Sequence, residues 1–247
     1  MMNRHVFLKI TGQILENDLE LQKLVKNLSI ISKRLQNSRI FIIIGGGKKV
    51  DQIRSLYDKN PEKLIQEWNK LSNNIHLSSK DVIAHWLSIK AMDENGEVFA
   101  EKMGELNNVE VMKVYNSLRE DNFLPKSWSI TSDSITYYIA AKHLKKHNIA
   151  KQVILFKIID GIFDSGKNDK IKRRKRNIEG DLIKKLYIKS GKPSINLKSY
   201  PFDGYLLNLI DYFGIPCIIA NYNKINELDK LIDPSNPIVC SRIFKKT

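Results

Sequence analysis

The chain has very little cysteine. Cys217 and Cys240 are the only two among 247 residues, with neither CxxC nor Cys/His ligand spacing around them. This argues against a disulfide framework and against a zinc site, and the pair reads as reduced thiols in strands of an intracellular protein. Long apolar runs are lacking as well. None approaches the roughly 18 residues that a bilayer-spanning helix needs, and the N-terminus shows no apolar stretch followed by a small-residue cleavage site. A soluble, cytoplasmic protein is expected. Neither GxGxxG nor GxxxxGK[ST] is present, which argues against the two commonest nucleotide-binding folds. No internal repeat, coiled-coil heptad or Pro/Ser-rich linker divides the sequence, and with 42% apolar residues it can bury one full core.

Charge is plentiful and of one sign, with a net value of +14. A balance of this kind suggests an acidic partner. Its distribution weakens that suggestion: between Ser165 and Lys198 there are twelve Lys or Arg against three Asp or Glu, so nine of the fourteen excess charges are local. The block KIKRRKR, Lys170 to Arg176, has no interleaved aromatics to stack bases and reads as a solvated loop. Nucleic acid is not the expected partner.

Three segments carry chemistry. VFLKITGQ, from Val6 to Gln13, is an apolar strand ending in a lysine and a glycine. IFIIIGGGKKVDQIRSLY, from Ile40 to Tyr57, joins a buried-type strand through three glycines to a helix, and glycines there let backbone amides approach a phosphate closely. LPKSWSITSDSITYYIAAKHL places Ser132-Asp133-Ser134 at the start of an apolar-periodic helix. The exposed amides and dipole of that first turn favour an anion or an organising carboxylate, although Ser and Asp also cap ordinary helices.

Hydrophobic periodicity predicts strands near 5–10, 39–44, 109–114, 153–158, 215–220 and 238–243. Helices are predicted near 16–36, 47–58, 62–72, 79–93, 132–146, 203–213 and 224–231. Alternating elements imply an α/β class with a mainly parallel sheet covered on both faces, whose ligands bind beyond the carboxyl ends of the strands. Lys9, Gly45 to Gly47 and Asp160-Gly161 all lie at or just after such ends. The short charged break at 146–152 reads as a seam between lobes.

In order and spacing, KITG, FIIIGGG, TSDS before a helix, and VILFKIIDGIF resemble the amino acid kinase superfamily, which includes uridylate, acetylglutamate and aspartate kinases. AHWLSIKAMDENGEVFAE with LPKSWSITSDS is most similar to the archaeal and methylotroph branch that includes aminomethylfuranylmethyl phosphate kinase. The resemblance implies an amino acid kinase fold: a three-layer αβα sandwich of one domain, 1–247, with an acceptor lobe at about 1–148 and a nucleotide lobe at about 149–247. It further implies a homo-oligomeric kinase that transfers the γ-phosphoryl group of ATP to an anionic small molecule, a phosphate monoester before a carboxylate. By the same resemblance Lys9 touches the transferring group, Gly12 admits the nucleotide phosphates, and Asp133 orients lysine ammonium groups. Gly45, Gly46 and Gly47 serve acceptor and phosphoryl through their amides, Gly46 on the nucleotide side too. Lys157, Asp160, Gly161 and Phe163 border the ATP pocket, while Thr131 and Ser132 flank the acceptor; Trp128, in the loop just before them, suits either a wall of the acceptor pocket or simple packing. Mg2+ is expected on ATP phosphates and water, with no protein metal ligand.

The chain also departs from the family pattern. Gln13 stands where a small residue is usual, Lys198 where an aspartate is, and Cys240-Ser241 replaces Gly-Thr. These departures motivate an alternative, a regulatory member that binds a nucleotide or metabolite without catalysis. A second catalytic lysine among Lys167, Lys170 and Lys172 is not separable by sequence. Phe163 equally suits a core aromatic, and Lys157 a snorkelling surface lysine. His85 and Trp86 read as packed helix residues, and Asp93 and Glu94 as surface residues before an Asn95-Gly96 turn. No motif between about 60 and 130 identifies the acceptor.

Overall fold

The structure, a computed structural model, describes residues 4–71, 77, 79–147, 151–160, 162–165, 172–175, 177–179, 202–233 and 240–245. Its strands are β1 (Arg4–Ile10), β2 (Ser38–Ile44), β3 (Val109–Val111), β4 (Lys151–Lys157), β5 (Ile162–Ser165), β6 (Lys172–Lys175), β7 (Asn177–Glu179), β8 (Cys217–Asn221) and β9 (Cys240–Phe244). Seven of them form one sheet in the order β3-β2-β1-β4-β8-β9-β7, while β5 and β6 make a separate antiparallel ribbon. Every neighbouring pair of the large sheet is parallel except β8 with β9.

The helices are α1 (Asp18–Arg34), α2 (Gly47–Lys59), α3 (Pro61–Leu71), α4 (Lys80–Met103), α5 (Tyr115–Arg119), α6 (Ser132–His147), α7 (Tyr205–Phe213) and α8 (Leu228–Ile232). They cover both faces, because the central strands are apolar at successive positions and side chains alternate sides along a strand. Val6, Leu8 and Ile10 of β1 join Ile154 and Phe156 of β4 against Leu21, Leu24, Leu28 and Ile31 of α1. Phe7 of β1 joins Val153 and Leu155 of β4 on the other face, against α3, α4, α6 and α7. The same alternation assigns Lys9 and Lys157 to the α6 face.

From β1 the chain runs outward to β2 and β3, and then returns to the far side of β1 to lay down β4, β8 and β9. The order therefore reverses between β1 and β4. In parallel sheets a crevice for ligands opens at such a switch point, beyond the carboxyl ends of the strands. Lys9 is next to last in β1 and Lys157 is last in β4.

Several boundaries differ from the sequence reading. α4 continues through Asn95-Gly96 to Gly104, whose φ of 69° ends the helix, so the expected surface turn is helix interior. Both residues are buried there, and packing against the sheet overrides the local turn preference of the Asn-Gly pair. Asp93 is not a surface turn residue either: its carboxylate accepts from the N–H groups of Val114 and Tyr115 at 2.6 and 3.0 Å and caps α5, which periodicity did not predict. The first helix begins at Asp18, after a 3-10 turn at Gly12–Glu16. Part of the basic block, Lys172–Lys175, is strand β6 paired with β5 and not a free loop. Gly161, Lys167, Lys170 and Lys198 lie outside the described residues.

Candidate active site

The switch point holds a buried ionic triad. Lys9 projects from β1 and Lys157 from the end of β4, and the carboxylate of Asp133, in the first turn of α6, stands between them. Asp133 Oδ2 accepts from Lys157 Nζ at 2.5 Å, and Oδ1 lies 3.3 Å from Lys9 Nζ. The second contact is an ion pair without hydrogen-bond alignment, which leaves Oδ1 a buried oxygen lacking a hydrogen-bond partner. Lys9 is 5% exposed and Asp133 3%, too little for water to compensate their charges.

The environment shifts both groups. Burial is the largest influence on Lys9 and, with the repulsion of Lys157 added, pushes its ammonium down to about 8 despite the attraction of Asp133. Burial alone would raise Asp133, but Lys157 and Lys9 together outweigh it and hold the carboxyl below its usual value. A carboxylate fixed between two ammonium groups is a poor proton acceptor and a good aligner of cations. Asp133, expected from the resemblance to orient lysine ammonium groups, lies between two of them.

A second carboxylate fixes the α6 turn itself. Asp203 Oδ2 accepts from the N–H and hydroxyl of Thr131 at 3.1 and 2.6 Å and from the N–H of Ser134 at 3.3 Å. Its Oδ1 accepts from the Ser134 hydroxyl at 2.5 Å and from the N–H of Tyr205 at 3.1 Å. Burial, and then the charge of Asp133, raise the Asp203 carboxyl above its ordinary value. Thr131, expected beside the acceptor, is thus committed to Asp203. The Phe202-Asp203-Gly204 turn before an apolar helix was the available signal for this carboxylate.

Beside the triad, two glycine segments meet. A Cβ on Gly12 would lie 2.1 Å from the carbonyl oxygen of Gly45, and one on Gly47, whose φ is 53°, would lie 2.7 Å from the carbonyl carbon of Gly12. Both obstacles are backbone, so only glycine fits. A Cβ on Gly45 would sit 3.1 Å from Cε of Lys9, which puts the glycine turn against the triad. The N–H of Gly45 donates to the carbonyl of Ile10 at 2.8 Å and ties the turn to β1. Asn95 of α4 donates from Nδ2 to the carbonyls of Gly45 and Gly46 at 2.8 and 2.9 Å. Nothing in a turn reading of Asn95-Gly96 pointed there. The Met92, Asn95, Phe99 spacing on a continuous helix face was the signal that would have done so.

The remaining candidates are more dispersed. Trp128 is half-buried, with its ring stacked on Tyr57 of α2 at 5.4 Å and the Arg54 guanidinium 5.8 Å from its centroid. His85 is 3% exposed and its Nδ1 is 3.1 Å from the carbonyl of Ser127; burial pushes its ring down to about 4, which makes it a neutral packing residue as expected. Asp160 is exposed beyond β4, and Gln13 is exposed and does not fill the glycine turn. Ser241 is buried and accepts from the N–H of Ile162 at 2.8 Å, holding β5 to β9. Cys217 and Cys240 are buried in strands. Among the described residues no helix is long and apolar enough to cross a membrane.

No family model matches the chain. It is 27% identical over 241 residues to the [5-(aminomethyl)furan-3-yl]methyl phosphate kinase of Methanocaldococcus jannaschii, an alignment covering 90% of this chain and 98% of that protein. Among solved structures it superposes on the uridylate kinase from Archaeoglobus fulgidus with a TM-score of 0.59 and 15% identity, covering 98% of this chain and 100% of the other. The carbamate kinase from Giardia lamblia, bound to AMP-PNP, gives a TM-score of 0.53 and 11% identity, with 99% of each chain covered.

Proposed function

We propose that the chain is a member of the amino acid kinase superfamily, an ATP-dependent kinase that phosphorylates an anionic small molecule, preferably a phosphate monoester. The observation that carries this reading is the triad of Lys9, Asp133 and Lys157 at the switch point, pressed against the Gly45–Gly47 turn. ATP supplies the γ-phosphoryl group.

Phosphoryl transfer places negative charge on the equatorial oxygens of the transferring group and needs cations and amides in fixed positions more than a nucleophile. Lys9 and Lys157 bring two ammonium groups to one place, and Asp133 prevents their mutual repulsion from splaying them apart. Together the three carry one net positive charge in a dry setting, a fit for phosphate oxygens. The Gly45 N–H, expected to serve the ligand, is taken by the carbonyl of Ile10, so the amides the glycine turn offers are those of Gly46 and Gly47. Mg2+ fits as a companion of the ATP phosphates, because this ion keeps phosphate and water ligands readily. An acceptor phosphate is already ionised and needs no general base, in agreement with a carboxylate tied up between lysines.

Gln13, whose bulk motivated a non-catalytic alternative, is exposed and leaves the glycine turn open. Thr131 serves Asp203, and so acceptor contact on that side falls to Ser132 and Trp128. Phe163, Asp160 and Gly161 keep their proposed place along the ATP pocket, and a homo-oligomer in the cytoplasm is the proposed state. ADP formation with Mg-ATP and [5-(aminomethyl)furan-3-yl]methyl phosphate, the compound named for the Methanocaldococcus relative, tests the reading first, with UMP as a second acceptor. Turnover that disappears in Lys9→Ala is expected. No ADP from the folded wild type with any phosphate or carboxylate acceptor would overturn it.

A further inference from the structure

Asn95 lies in the interior of α4, 5% exposed, and both of its recorded hydrogen bonds leave from one amide nitrogen. They reach consecutive carbonyls, those of Gly45 and Gly46. A trans peptide is planar, with its N–H opposed to its C=O. Drawing the Gly45 carbonyl toward Asn95 therefore turns the N–H of Gly46 away from it, and drawing the Gly46 carbonyl turns the N–H of Gly47 away. Asn95 thus turns the Gly46 amide by itself and the Gly47 amide together with α2, whose Val50 N–H also donates to the Gly46 carbonyl at 3.4 Å.

The backbone there has the form that makes such amides an anion cradle. Gly46 is right-handed, with φ −69° and ψ −22°, and Gly47 follows with φ 53°. A right-handed residue followed by a left-handed one directs successive N–H groups into a concavity that takes anions. A second observation agrees: the next amide in line, that of Lys48, already donates to a carboxylate oxygen, Glu16 Oε1, at 3.2 Å.

We infer that Asn95 is a positioning residue, which sets the Gly46 and Gly47 amides as a nest for a phosphate group of the substrate. It acts through the peptide planes and touches no substrate itself. The inference rests on the kinase reading for its biological meaning, but nest formation has a readout that needs no turnover. Asn95→Asp keeps the shape and removes both donors; Asn95→Ala is the second variant should the buried carboxylate prevent folding.

The test is titration of the 15N-labelled protein with inorganic pyrophosphate, following the Gly46 and Gly47 amide resonances. In the wild type both are expected to move with one common dissociation constant. In either variant, shown folded by its remaining spectrum, those two movements are lost or the constant rises about 10²-fold, the scale of loss expected when a positioned group is misplaced by about 1 Å. In kinetics the same variants should raise KM for the acceptor more than KM for Mg-ATP, a split that general destabilisation does not produce. Wild-type amides that ignore pyrophosphate would overturn the inference, as would variants that respond like the wild type. Failure of the kinase reading shows itself separately, as absence of ADP formation in a protein whose amides still respond.

Discussion

Asp133→Asn probes the ionic triad with little change of shape. In the wild type one carboxylate offsets two ammonium groups, at 3.3 Å from Lys9 Nζ and 2.5 Å from Lys157 Nζ. With an effective dielectric constant near 20, a pair of unit charges 3.3 Å apart interacts by about 5 kcal/mol. Removing it leaves Lys9 with its burial cost and the repulsion of Lys157, and nothing opposing them. The protein responds by releasing the Lys9 proton. Since about 1.4 kcal/mol corresponds to one pH unit, a group that titrates at about 8 in the wild type should fall below about 7 in the variant.

The assay is the pH profile of kcat/KM, which reports groups of the free enzyme. In the proposed mechanism Lys9 acts as an ammonium, so activity in the wild type should fall as pH rises through about 8. In Asp133→Asn that alkaline limb should move to lower pH by at least about one unit, and the plateau should drop about 10²- to 10³-fold, the scale of losing one aligned charge-stabilising group. Stability gives an independent reading with a definite sign. Folding lowers the Lys9 value, so between about 8 and the ordinary lysine value the unfolded chain holds the additional proton and stability rises with pH. In the variant this window opens at lower pH. Its deficit, about 3–5 kcal/mol while the unpaired ammonium persists, should therefore shrink as Lys9 is deprotonated. An alkaline limb left at its wild-type position in a folded variant would refute the reasoning.

Other substitutions address the supports of the site. Gly12→Ala forces a methyl group to within 2.1 Å of the Gly45 carbonyl oxygen; a loss of about 1–3 kcal/mol by urea unfolding is expected from such overpacking, with phosphoryl transfer lost. A wild-type urea midpoint would show that the two turns are not in contact. Asp203→Asn turns donors toward the Thr131 and Ser134 donors that now meet a carboxylate, at about 1–3 kcal/mol for each group left unsatisfied. Tm should fall and turnover with it, since the α6 turn carries Asp133; full turnover would separate the two carboxylates. Cys217 is fully buried and its thiol is raised by burial and then by Asp133, so thiolate reagents should label it only on unfolding. Rapid labelling of the native protein at Cys217 would contradict the packing of β8.

The sequence made the frame legible where period and composition agreed. Apolar runs at β1, β2, β4 and β8 were readable because these strands are buried on both faces, and Lys9 stood out as the charged residue near the end of one of them. The glycine turn and the capping residues of α6 carried their own local signals. What stayed hidden depended on tertiary partners. Asn95-Gly96 has the local preference of a turn, yet it lies within α4 because the buried face of that helix resumes at Phe99 and holds the pair against the sheet. Asp93 and Asp203 bind amides and hydroxyls of segments distant in sequence, and no spacing rule within one element reaches that far. The basic hairpin strand β6 was obscured because runs of like charge usually mark solvated loops, whereas here pairing with β5 supplies the backbone order.

These hidden contacts share a role. The chemistry-bearing groups come from three separate places: the end of β1, the end of β4 and the start of α6. None of these local segments fixes the others. Asp133 joins the two strand ends electrostatically, Asp203 joins the α6 turn to the start of α7, and Asn95 joins the glycine turn to α4. Each link is a buried polar group satisfied across the topology, the arrangement in which a missing partner costs most. The triad is the exception, since it keeps one unbalanced positive charge and one carboxylate oxygen without a hydrogen bond. A buried excess charge of this kind opposes folding. Under the proposed kinase reading a phosphate group bound there offsets part of this cost, so the unfinished electrostatics of the triad favour the anion.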